Sequence, residues 1–122
     1  MKITFPKDDA KYRWTNHVKR KMAYYGLSGD RIKRIIRNPK RCETGVAENT
    51  IAVMQESGTK KKPTEVWTMY QDQGKSLKRK EQNFGKKIII SAWRYPGVSK
   101  PGNQIPIPHD ILEELKKEGI IK

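Results

Sequence analysis

Lys86-Lys87-Ile88-Ile89-Ile90-Ser91-Ala92-Trp93-Arg94-Tyr95 is the strongest strand signal in this chain of 122 residues. Three consecutive isoleucines suit a central strand covered on both sides, and Pro96-Gly97 ends it. Upstream, Glu65 to Gln71 reads Glu-Val-Trp-Thr-Met-Tyr-Gln, a second strand rich in aromatic and β-branched residues. Thr44, Val46, Thr50, Ile51, Val53 and Met54 also suit strands, with a break around Ala47–Asn49. Ser57-Gly58 followed by Lys60-Lys61-Lys62-Pro63 is a turn. Residues 72–85, with Gly74, Lys78-Arg79-Lys80 and Gly85, read as a basic loop.

Ahead of the strands the period is helical. Trp14, Val18, Met22 and Tyr25 recur at four, four and three residues, one stripe of a first helix. Thr15 is its N-cap and Gly26 its stop. Ser28 caps a second helix, Asp30 favours its positive end, and Leu27 stands at staple spacing from Ile32. Ile32, Ile35 and Ile36 form its buried face, and Asn38-Pro39 ends it. Residues 1–11 are an extended lead-in. After three prolines between 98 and 108, Asp110 to Lys117 reads as a short terminal helix with Ile111, Leu112 and Leu115 on its apolar side.

The expected architecture is α+β in a single domain, 1–122: an N-terminal αα-hairpin packed on a three- or four-stranded antiparallel sheet, with a short C-terminal helix. The core spans 12–95, and 96–122 form an extended tail. The helices cover one face of the sheet, and the other face is open, basic and available to a ligand. On strict alternation, Arg94 shares a face with Ile88, Ile90 and Ala92, and Tyr95 shares one with Ile89, Ser91 and Trp93.

The composition narrows the function. Lys plus Arg number 27 against 13 acids, a formal net charge of +14. Residues 1–41 hold 13 of those cations and 3 acids. A basic excess this large and this clustered points to a polyanion, RNA or DNA, as partner. The longest apolar run is Ile88–Ile90, far short of a membrane span, and no basic helix has a large apolar face for a membrane surface. The opening residues carry no secretory pattern, so a cytoplasmic location is expected. One cysteine, Cys42, and two distant histidines give no metal-ligand set and no internal disulfide, and no phosphate-cradling glycine loop is present, so no cofactor is expected.

Cleavage of RNA through its 2′-hydroxyl requires a base, cations around the phosphate and an acid for the leaving oxygen. His17, Arg20, Arg94 and Tyr70 supply those types. His17 and Arg20 share a helix face, and a neighbouring cation keeps an imidazole neutral. Arg94 at a strand end can clamp a phosphate with two parallel hydrogen bonds. Candidate phosphate contacts are Lys19, Lys21, Arg34, Arg37, Lys61, Lys78 and Arg79. The same residues also fit a module that binds without cutting. Convergence of His17 and Arg94 across one groove favours the enzyme, and burial of His17 favours the module. A third reading, a protein-interaction domain, rests on the proline-rich segment 96–108.

The stretch from His17 to Pro39, with Arg20-Lys21-Met22 and Tyr25-Gly26-Leu27-Ser28, resembles the opening of small uncharacterised domains related to the RelE/ParE toxin superfamily. Lys87-Ile-Ile-Ile-Ser-Ala-Trp-Arg-Tyr95 looks like the closing strand of those domains. The resemblance covers residues 14–95. It implies a toxin-like fold, a metal-independent endoribonuclease of a toxin-antitoxin system with the ribosome as a candidate place of action, and an antitoxin protein as partner. His17, Arg20 and Arg94 are the positions it marks.

Overall fold

The computed structural model describes residues 5–72, 86–102 and 104–121. The expected basic loop, with Lys78 and Arg79, lies almost wholly outside them. The element order is β1 (Tyr12–Trp14), α1 (Asn16–Tyr25), α2 (Gly29–Arg37), β2 (Arg41–Thr44), β3 (Thr50–Gly58), β4 (Pro63–Asp72), β5 (Lys87–Pro96) and α3 (His109–Lys117). The fold is α+β, with one five-stranded mixed sheet in the order β1-β5-β4-β3-β2. The last four strands pair antiparallel, and β1 runs parallel to β5.

Residues 5–11 hold no helix or strand, and the short strand that follows them moves Trp14 out of the helical stripe. Asp9 Oδ1 accepts hydrogen bonds from the Lys11 and Tyr12 backbone N–H groups, both at 2.8 Å, and Asp8 Oδ1 accepts from Trp14 N–H at 2.9 Å. These two backbone bonds hold the Asp9 carboxyl below its usual pKa. The Asp8-Asp9 pair thus shapes a turn that delivers three residues to the edge of β5.

The helix limits follow local chemistry. Thr15 Oγ1 accepts from Val18 N–H at 3.1 Å and lies 3.1 and 3.0 Å from the Ile89 and Ile90 carbonyls, fastening α1 to β5. Gly26 ends α1 at φ 69°, where a side chain would strain the backbone. Ser28 Oγ accepts from Arg31 N–H at 3.1 Å, and Leu27 and Ile32 are both buried. The expected αα-hairpin is met in part: the two helices follow each other through Gly26 and Leu27 and share one apolar cluster, but each packs chiefly on the sheet. Helix α1 lies along β5, and α2 lies over β3 and β4.

Strand β5 carries an irregularity that the sequence does not announce. Met69 pairs with Ser91 and Tyr70 with Ile89, leaving Ile90 as an extra residue. Alternation shifts there. Ile89 and Ala92 pack beneath the helices, whereas Ile88, Ile90, Trp93 and Tyr95 line the opposite face. Arg94 therefore stands on the helix side with Ile89 and Ala92, not with Ile88 and Ile90.

The opposite face is also closed. Ile105, Ile111 and Leu115 pack against Met54, Trp67, Met69, Ile90 and Trp93, with Ile107, Ile120 and Ile121 at the margin. The segment after β5 is therefore half of a second core layer, not an extended tail. This corrects the expectation of an open basic face, and it meets the demand of the isoleucine run for cover on both sides. A polar network pins the crossing. Glu65 is buried, and Ser99 donates to it from both N–H (3.0 Å) and Oγ (2.6 Å). Arg41 donates to Ser99 Oγ at 2.6 Å and pairs with Glu43 at 2.8 Å.

Candidate nucleic-acid interface

His17 sits in the first turn of α1 and is 1% exposed. Its Nε2 lies 2.9 Å from Ser91 Oγ, and its Nδ1 lies 3.4 Å from both Glu114 Oε1 and Glu118 Oε2 of the C-terminal segment. The carboxylates can only accept, so in neutral His17 the proton belongs on Nδ1 and Nε2 accepts from the Ser91 hydroxyl. The order serine, histidine, acid has the logic of a nucleophile and its base. Ser91 is nevertheless 0% exposed, so no substrate reaches it. Helix α3 is not a loose cover either. Withdrawing it would bring Ile111 and Leu115 out of the core, at roughly 1.5–3 kcal/mol for each side chain.

Burial holds the His17 pKa below the ordinary value near 6.5. Glu118 and Glu114 pull it up and Lys21 pushes it down, so burial outweighs the carboxylates. The expected agent was a neighbouring cation, and burial proves the larger cause. The unfolded chain consequently binds the proton more readily than the folded one. Stability should be fully present above about pH 6.5 and should be lost as pH falls from there toward the depressed folded value. His17→Gln should flatten this part of the profile. Urea midpoints measured between pH 7.5 and 5 check it, and a wild-type midpoint that rises on acidification would reverse the sign.

The other expected cations divide into two sets. On α1, Arg20 donates to Glu118 Oε2 at 2.9 Å, and buried Lys21 bonds Glu114 Oε2 at 2.9 Å. Lys19 is half-buried. On α2, Lys33 is half-buried with its Nζ over the Tyr12 ring, and Arg34 and Arg37 are exposed. Among the described residues, no carboxylate pairs with Arg31, Lys33, Arg34 or Arg37. Lys61 stands exposed on the β3–β4 turn.

The four residues expected to form a catalytic set are not gathered around one space. Tyr70 is 7% exposed in the helix-side core, and burial, followed by Asp72, Cys42 and Tyr12, raises its phenol pKa. It lies beside Ile89, whereas Arg94 lies beside Val66. Four residues of β4 separate those levels, about 13 Å at strand rise. Arg94 Nε donates to the Tyr25 carbonyl at 2.9 Å, where α1 turns into α2. His17 contacts β5 at Ser91 instead, about 10 Å short of Arg94 along the strand.

The residues missed from sequence were Arg31, Ser91, Glu114 and Glu118. Glu114 and Glu118 stand four apart and so share a helix face, a legible signal, but nothing local says that this face meets His17. Among the described residues, no helix is long and apolar enough to cross a membrane, and no group of three or more His, Cys, Asp or Glu could hold a metal ion. Comparison with known proteins gives no match: no family model, no curated protein and no solved structure is significantly similar to this chain.

Proposed function

We propose that this chain is a nucleic-acid-binding module of toxin-like type, with RNA as its main partner, that binds without cutting. The observation that carries the reading is the division of its cations. Arg20 and Lys21 of α1 are taken up by carboxylates of the C-terminal segment, whereas the basic face of α2 has no carboxylate partner among the described residues. A surface of this kind gains most from releasing counterions at a phosphate backbone. Arg34 and Arg37 also suit the negative end of α2, but that benefit needs one cation rather than a whole face.

The endoribonuclease of a toxin-antitoxin pair is the second reading, kept because His17 and Ser91 have the chemistry of a base and its partner. It requires a base that touches the phosphate region, and His17 is walled off by α3. An antitoxin or a ribosomal surface would enter through the same α2 face.

Incubation with mixed RNA in EDTA, followed by anisotropy between 50 and 200 mM salt, tests the proposal. Affinity should fall steeply with salt and the RNA should stay intact. Arg34→Glu with Arg37→Glu should flatten the slope of log affinity against log salt by about 1.4–1.8, as for two phosphate contacts. An unchanged slope would move the footprint away from α2. Cleavage that persists in EDTA and is abolished by His17→Ala would return the enzyme reading.

A further inference from the structure

We infer that Arg31, Arg34 and Arg94 form a seat for one phosphate group, at the point where α1 turns into α2 beside the end of β5. The inference rests on the nucleic-acid reading for the source of that phosphate, and it names the contact that anchors it.

Each arginine contributes a different part of the geometry. Arg94 is half-buried and held by its Nε bond to the Tyr25 carbonyl, which leaves its two terminal nitrogens as a fixed fork. Arg31 is half-buried, and its Nε is shielded from solvent without a hydrogen-bond partner. Arg34 follows three residues later on the same helix face and is exposed. None of the three pairs with a carboxylate among the described residues.

Arg31 is the informative member, because the stability of the free protein does not explain it. It occupies the first turn of α2, where the helix dipole disfavours a cation. Its Nε lacks an acceptor, and a shielded donor without one is costly. Burial lowers its pKa, and the charges of Arg94 and then Arg34 lower it further. Dipole, desolvation and repulsion all act against this side chain, and no group among the described residues compensates. A tetrahedral phosphate answers all three: it brings negative charge to a helix N-terminus, oxygen acceptors for several guanidinium donors, and a counter-charge for the cluster.

The test uses the full chain with three probes: inorganic phosphate, and one oligoribonucleotide carrying either a 5′-phosphate or a 5′-hydroxyl. Phosphate should raise the melting midpoint of wild type beyond chloride at equal ionic strength. Arg31→Gln should melt at or above the wild-type midpoint and lose that response, and should bind the oligonucleotides about tenfold more weakly or worse. Arg94→Lys, which keeps the charge but not the fork, should weaken binding without unfolding the protein. Tighter binding of the 5′-phosphorylated form assigns the seat to a chain end, and equal binding assigns it to internal phosphodiesters; either supports it. If Arg31→Gln binds RNA like wild type while the Arg34/Arg37 reversal abolishes binding, the seat is overturned and the nucleic-acid reading survives. If no oligonucleotide binds but phosphate protects wild type and not Arg31→Gln, the seat stands and the nucleic-acid reading falls. A lowered melting midpoint for Arg31→Gln would make Arg31 structural and overturn the seat.

Discussion

Trp93→Ala is expected to lower the unfolding free energy by about 3–5 kcal/mol. Trp93 is 0% exposed and stacks nearly parallel on Trp67, with ring centroids 6.2 Å apart. Residues from the C-terminal segment, Ile105, Ile111 and Leu115, belong to the same apolar cluster. Truncation leaves a cavity between two layers that cannot collapse independently, because β5 is held by β4 on one side and by β1 and α1 on the other. The indole N–H has no hydrogen-bond partner among the described residues, so a control separates shape from polarity. Trp93→Phe keeps most of the ring and removes the orphan donor, and should cost less than about 1.5 kcal/mol. Urea unfolding of the three proteins decides. An alanine loss under about 1 kcal/mol would mean that this face of the sheet is open to solvent.

Glu65→Ala should cost a similar amount, about 2–6 kcal/mol, for a different reason, since each shielded donor left unsatisfied costs about 1–3 kcal/mol. Glu65 is a buried carboxylate that accepts from Trp67 Nε1 at 3.0 Å and from Ser99 N–H and Oγ. Arg41, whose guanidinium lies 5.1 Å from the Trp67 ring centroid, bonds the same Ser99 hydroxyl. Deleting the carboxylate strands two N–H donors and frees the start of the C-terminal segment. Segment 97–108 should then become sensitive to protease while α1 and α2 stay protected. Glu65→Gln retains an acceptor oxygen and should fall between alanine and wild type. A stable, protease-resistant Glu65→Ala protein would show that apolar contacts alone hold the segment.

These two sites show where reading by residue type stops. The ends of α1 and α2 were legible because a cap needs only its own neighbours: Thr15, Gly26 and Ser28 do locally what their side chains or lack of one allow. The paired strands β3, β4 and β5 were legible from β-branched and aromatic runs. The parallel pairing of β1 was not, since three residues carry no period. Neither was the extra residue at Ile90, which changes the face that Arg94 occupies. Repeating apolar residues leave such a slip invisible until the partner strand is in place.

The amino-acid sequence by itself determined that α1 and α2 precede the antiparallel strands β2 to β5, that the chain carries a large basic excess, and that His17, Arg20 and Lys21 stand on one helix. Those properties depend on residue type and short spacing. Which cations remain available was decided only by tertiary structure. Glu114 and Glu118 lie more than 90 residues beyond His17 and Lys21, yet they meet α1, because Ile111 and Leu115 draw the terminal helix into the second core layer. Hydrophobic burial brings those carboxylates to α1, and charge pairing with Arg20 and Lys21 there leaves the cations of α2 and Arg94 as the ones without a carboxylate partner among the described residues.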